Sequence, residues 1–240
     1  MAKVTRVFLS GKIGKLICYE RNGKSCVRSM PEEVRQTAAT KRAAGNFARA
    51  IPIAKHLRWG LEPVLPEAKG RYAEYRLNTA VAQWLSGIAP RGKRSEADLS
   101  PLSSLELCKD AQLSVRLRRC RLKVDWTTDG VVTLRLPAMT PTEHIQAPAW
   151  TTQLHWTIAV AGSRIKKTEE TDSYTMSFDM EYDNERLPAR SIELPFRLLP
   201  GSINAVAASI RYTTVNKGKK KRITDGVWLP AGIVDAWHEA

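Results

Sequence analysis

Apolar and polar positions alternate along two different periods, and the change of period falls near the middle of the chain. Residues 7 to 29 read as a β-hairpin: Val7-Phe8-Leu9, a glycine-flanked Gly11-Lys12-Ile13-Gly14, then Leu16 to Tyr19 and Ser25 to Arg28 about an Asn22-Gly23 turn. Asn-Gly between apolar runs favours a two-residue type I′ turn, because both central positions need left-handed dihedrals. That turn sets Tyr19 opposite Cys26 and Cys18 opposite Val27. Pro31 closes the segment. Thr37 then suits a helix N-cap, and an alanine-rich stretch runs through Phe47 to Trp59, with Pro52 predicting a kink or a second helix start. Pro66 can open a further helix, whose stripe of Tyr72, Tyr75, Leu77, Val81, Trp84 and Leu85 ends at Gly87.

Beyond residues 86 to 104, rich in Gly, Pro and Ser, the period becomes two. Leu113 to Val124, Val131 to Leu136, Thr151 to Val160, Tyr174 to Met180, Ile192 to Leu198, Ala205 to Thr213 and Ile223 to Leu229 predict about seven strands. Asp129-Gly130, Pro200-Gly201 and Asp225-Gly226 supply turn signals between them. The expected fold is α+β: an N-terminal hairpin and two or three helices, then an antiparallel immunoglobulin-like β-sandwich with Trp156 in its core. A jelly roll or barrel is the alternative. The expected organisation is a basic hairpin-plus-helix region over 1–88, a linker over 89–108 and a β-sandwich over 109–240. No convincing internal repeat occurs.

Charge sharpens this picture. The 240 residues carry a net charge of +14 and a pI near 9.9, and the first fifty hold eleven basic and three acidic side chains. Smaller basic clusters lie at Arg116 to Lys123 and Lys217 to Arg222, and the acidic patch is Asp172, Asp179, Glu181, Asp183 and Glu185. Such basic blocks attract phosphate backbones, acidic protein faces or lipid headgroups. The acidic patch lacks the EF-hand pattern, so it reads as a solvated loop or as a surface for the basic region of a neighbouring copy. No run approaches the roughly 18 apolar residues of a membrane span, and the start, Met1 to Arg6, lacks a secretory signal core. The expected location is the cytoplasm, or a particle assembled after cytoplasmic synthesis.

Catalytic ingredients are sparse. His56, His144, His155 and His238 stand singly, Cys18, Cys26, Cys108 and Cys120 form no CxxC pair, and neither a GxxxxGK[ST] loop nor a GxSxG elbow occurs. The hairpin register puts Cys18 and Cys26 on opposite sheet faces, which disfavours a disulfide between them. Gly11 and Gly14 beside lysines could cradle phosphate, but a strand follows them where a phosphate loop needs a helix, so tight turning is the better reading. The expectation is a protein that is not an enzyme, with no cofactor and no metal site.

The stretch from Gly11 to Pro31, with the Thr37 helix start after it, resembles the opening of a group of uncharacterised Bacteroidota proteins that begin with GKxGxxxxYxRxGKxxVRxxP and end in a β-rich part. The matching positions are Gly11, Lys12, Gly14, Tyr19, Arg21, Gly23, Lys24, Val27, Arg28 and Pro31. The resemblance covers about residues 11 to 50 and implies kinship without an established activity; some members look as if they belong to phage-like or mobile gene sets.

Two functions compete most closely. The first is a structural or assembly protein whose basic arm engages a protein partner or neighbouring subunit through Tyr19, Arg21, Lys24, Arg28, Arg35, Lys41 and Arg42. The alternative is nucleic-acid binding, with those cations on phosphates and Tyr19, Trp59 or Trp84 stacking on bases. An enzyme of unfamiliar type and a carbohydrate or small-ligand binder using exposed tryptophans are the remaining readings.

Overall fold

The computed structural model describes residues 10–21, 24–30, 36–65, 72–87, 99–127, 131–165, 171–216 and 219–239. It is α+β, and every strand pairing described is antiparallel. The chain divides into two compact units, Met1–Arg42 and Ala43–Ala240.

In the first unit, β1 (Gly11–Ile13), β2 (Leu16–Arg21) and β3 (Lys24–Ser29) form a three-stranded meander. Gly14 turns β1 into β2 with φ of +58°, a left-handed dihedral that glycine adopts without penalty. The β2–β3 register pairs Tyr19 with Cys26 and Cys18 with Val27, as the expected two-residue turn requires; Asn22 and Gly23 themselves lie outside the described residues. All four cysteines are free.

Helix α1 runs from Ala38 to Gly60 without interruption. Thr37 caps it, its Oγ1 accepting the Thr40 N–H at 3.1 Å. A second helix start at Pro52 does not occur. The helix passes through the proline and gives up the one hydrogen bond that a residue without an N–H cannot donate. Helix α2 (Tyr72–Gly87) buries Leu77, Ala80, Val81, Trp84 and Leu85.

The larger unit is layered. A five-stranded sheet runs β10 (Lys219–Arg222), β9 (Ser202–Asn216), β6 (Thr151–Arg164), β7 (Thr171–Glu181), with β11 (Ala231–His238) also on β9 beyond β10. A second sheet holds β4 (Lys123–Trp126), β5 (Val132–Leu136) and β8 (Arg190–Leu194). Alternation on β6 and β9 sorts side chains between two cores. Leu154, Trp156, Ile158, Val206 and Ile210 meet Val132, Leu134 and Ile192 of the smaller sheet, whereas Ala159, Ala161, Ala205 and Ala207 meet Ile53, Leu57, Val81 and Trp84 of the helices. Small residues on one face admit helices closely; large ones on the other fill the space between sheets. Trp156 is fully buried on the third strand of this unit.

The sheet buried on both faces is the feature that a two-layer sandwich does not contain. The helices expected within 1–88 share a core with the strands, so the described residues 43–65 and 72–87 belong to the larger unit. Within the expected linker, Leu102, Leu105, Leu107 and Cys108 are buried. Two local expectations are corrected. Leu113–Arg116 is a helical turn, α3, because the Glu106 carboxylate accepts the N–H groups of Leu113 at 2.6 Å and Ser114 at 3.0 Å. Ile223 to Leu229 is no strand: Asp225 caps a 3-10 turn at Gly226–Trp228 by accepting from Val227 N–H. A fourth short helix, α4, spans Pro141–His144.

Candidate interaction surface

Period two in the N-terminal meander gives each face its own chemistry. Lys12 pairs with Ile17, Ile17 with Arg28, Tyr19 with Cys26 and Arg21 with Lys24, so Lys12, Tyr19, Arg21, Lys24 and Arg28 share one face. The Arg28 guanidinium carbon lies 5.9 Å from the centroid of the Tyr19 ring, within range of a cation–π attraction. Residues 10 to 30 contain five basic side chains against Glu20 alone. The opposite face carries Ile13, Leu16, Cys18 and Val27, with Glu20 and Ser25 at its β2–β3 turn end. Ile13 is 51% exposed, Leu16 46% and Val27 61%, an apolar surface that this small unit leaves in water.

Of the remaining expected site residues, Lys41 and Arg42 lie in the first turns of α1, about 100° apart around the helix, and Arg35 lies outside the described residues. No acidic residue occupies that first turn, so two cations stand where the helix dipole favours anions. Further along α1, Lys55 Nζ sits 4.4 Å from the Trp59 ring centroid and His56 meets the same ring edge-on at 5.1 Å. Trp59 is 53% exposed. Trp84 is buried in the helix–sheet core and is therefore removed from the candidates for base stacking. Helical spacing of Lys55, His56 and Trp59 was the sequence signal for this second basic-aromatic group.

The acidic patch lies along and beyond β7. Asp179 pairs directly with His155 of β6, with Oδ1 2.6 Å from Nδ1. Asp172 accepts from the N–H groups of Ser173 and Arg197, and Asp183 accepts from Glu185 N–H. The segment after β7 is held firmly: Leu187 exchanges backbone hydrogen bonds with Met139, and the Tyr182 hydroxyl donates to the Ile145 carbonyl at 2.9 Å. These ties leave the carboxylates of Glu181 and Glu185 on an ordered scaffold.

The other basic clusters divide in role. Arg116 stacks 3.9 Å over Trp228 and donates to the Val227 carbonyl at 2.9 Å, anchoring the 3-10 turn. Arg118 and Arg121 border a groove of about 430 Å³ together with Glu106 and Ser114. Lys219 to Arg222 form the exposed strand β10, and Lys217 lies outside the described residues.

Shifted titrations track burial. Desolvation pushes the Cys120 thiol up to about 11 and raises the Tyr212 hydroxyl, which donates to the Gln146 carbonyl at 3.0 Å. Tyr182 is raised for the same first reason, with nearby Arg118 pulling the other way. Among the described residues no group of three or more His, Cys, Asp or Glu side chains is placed to hold a metal ion, and no helix is long and apolar enough to cross a membrane. Compared with known proteins, the chain matches no family model and no curated sequence.

Proposed function

We propose that this protein is a non-enzymatic assembly component that uses its N-terminal sheet to engage a protein partner or a neighbouring subunit, in the manner of a phage-like or mobile-element structural protein. The observation that carries the reading is the two-faced meander: a basic face around Tyr19 and an apolar face of Ile13, Leu16 and Val27, both open to solvent. A three-stranded sheet of this size has little apolar surface to bury within itself, so its exposed side chains gain most by meeting a second surface. In this reading the two β layers serve as an immunoglobulin-like rigid body, and the protein is made in the cytoplasm before it is built into a particle.

Nucleic-acid binding is the second reading, favoured by the Tyr19–Arg28 and Trp59–Lys55 pairs, each an aromatic ring beside a cation. One experiment separates the two. The native mass of nuclease-treated protein is measured across a salt series with absorbance at 260 nm followed in the same peak. A defined assembly free of nucleic acid that persists at high salt supports the first reading. A monomer that binds added single-stranded nucleic acid at low salt and sheds it at high salt overturns the first in favour of the second.

A further inference from the structure

Strand β7 has one neighbour, β6, and strand β3 has one neighbour, β2, among the described residues. Each therefore presents a row of unpaired backbone N–H and C=O groups along its outer side. The edge of β7 opens beside a cleft of about 450 Å³, whose apolar lining includes Leu136, Met139, Phe178, Met180 and Leu187. Glu181, Asp183 and Glu185 rim it, and Arg190, 5.5 Å from the Phe178 ring centroid, is the cation among its lining residues.

Alternation divides β7 as it divides β3. Tyr174, Met176, Phe178 and Met180 face the smaller sheet and are only partly buried, because three strands do not cover five. Ser177, Asp179 and Glu181 face the other way and are exposed. On β3, Val27 lies on the apolar face of the meander, while Lys24 and Arg28 lie on the basic one. Laid edge to edge, the two strands match on both faces at once. The apolar face of one continues the Phe178 and Met180 row, and the cations of the other fall beside Asp179 and Glu181. Because both strands repeat every two residues, one register that satisfies the charges also satisfies the apolar side chains.

We infer that β3 of one copy adds to the free edge of β7 in a second copy, with the apolar face of the meander extending over the cleft and Arg21, Lys24 and Arg28 meeting the acidic rim. This rests on the assembly reading and names its partner surface. Backbone hydrogen bonds supply the join, the cross-strand charge pairs set its register, and the apolar continuation buries Ile13, Leu16 and Val27. Since the donor strand and the acceptor edge are different surfaces of the same chain, the contact is head-to-tail and propagates into a ring or a filament.

Charge exchange in the full-length chain tests this. One variant carries Arg21→Glu and Lys24→Glu, the other Glu181→Lys and Glu185→Lys, and circular dichroism with thermal unfolding establishes that each retains the fold. Light scattering is then read on wild type, each variant alone and an equimolar mixture. The inference expects wild type to exceed the 26.8 kDa of one chain, each variant alone to fall to that mass, and the mixture to assemble again through opposite charges. Assembly that survives the β7 reversal but not the arm reversal overturns this inference and leaves the arm-mediated reading standing. Assembly untouched by either reversal overturns both. A mixture that stays at the mass of one chain, or a monomeric wild type at every concentration, overturns the second-copy partner.

Discussion

Two glycines on helix α1 give opposite outcomes for the same substitution. A methyl group at Gly60 lies 2.6 Å from the Cβ of Ala161 and 2.9 Å from the Cβ of Ser173, whereas one at Gly45 meets nothing within 4 Å. Those Cβ atoms are fixed to the backbone of β6 and β7, so relief at Gly60 requires the helix end to lift from the sheet. Overpacking of this kind costs about 1–3 kcal/mol, and an exposed Gly→Ala change in a helix gains roughly 0.5–1 kcal/mol. Gly60→Ala is therefore expected to destabilise by about 1–3 kcal/mol and Gly45→Ala to stabilise slightly, a gap of roughly 1.5–4 kcal/mol between variants of identical chemistry. Urea unfolding followed by tryptophan fluorescence measures both, with an unchanged m value showing that the unfolded reference is shared. Equal stabilities, or a more stable Gly60→Ala, would refute the packing of α1 on the alanine face.

Other expectations follow from single groups. Thr37→Ala removes the side-chain acceptor for Thr40 N–H and should cost about 1 kcal/mol of helix stability, seen as faster hydrogen exchange in the first turn of α1 and restored by Thr37→Ser. Tyr212→Phe leaves the Gln146 carbonyl without its hydroxyl donor and should lower stability by about 1–2 kcal/mol in denaturant titrations. Cys120 stays protonated in the fold until about pH 11, while an unfolded thiol loses its proton from about 9.0. The unfolded state thus binds fewer protons in that window, and stability relative to Cys120→Ala should fall as pH rises through it. Native protein at pH 8 should accordingly take up a thiol reagent at half-buried Cys26 and resist it at Cys120.

Much of the architecture was legible wherever a residue's fate depended on its near neighbours. The hairpin register, the Thr37 cap, the Leu77, Val81, Trp84 and Leu85 part of the α2 stripe and the alternation of β6 and β7 all follow from spacing, and the structure carries each, whereas Tyr75 of that stripe is 60% exposed. What escaped depended on distant partners. Leu113 to Val115 alternates like a strand, but a carboxylate from Glu106 captures its amides and starts a helical turn. Lys219 to Arg222 has no apolar residue to mark it, yet pairing with β9 makes it a strand. Strand β11 was hidden by a bulge between Ile233 and Asp235 that breaks its alternation. Alanines at 159, 161, 205 and 207 gave no hint from sequence that helices would cover them, because a small residue shows its purpose only when the layer above is known.

For the interaction surface, period two sufficed to place Tyr19, Arg21, Lys24 and Arg28 together, since a hairpin register is local. The group of exposed Lys55 and Trp59 with half-buried His56 was harder to single out, because which side of α1 is buried depends on the sheet beneath it. Burial also withdrew Trp84 from the surface, a fact that an amphipathic stripe predicts for the helix as a whole but not for each aromatic residue.

Hydrogen–deuterium exchange of the full-length protein, compared between dilute and concentrated solution, tests the central claim most directly. The account predicts that amides of Lys24–Ser29 and Thr171–Glu181 slow together as concentration rises, while those joining β6 to β9 keep the same protection. Exchange at both edge strands that stays the same at every concentration would contradict it.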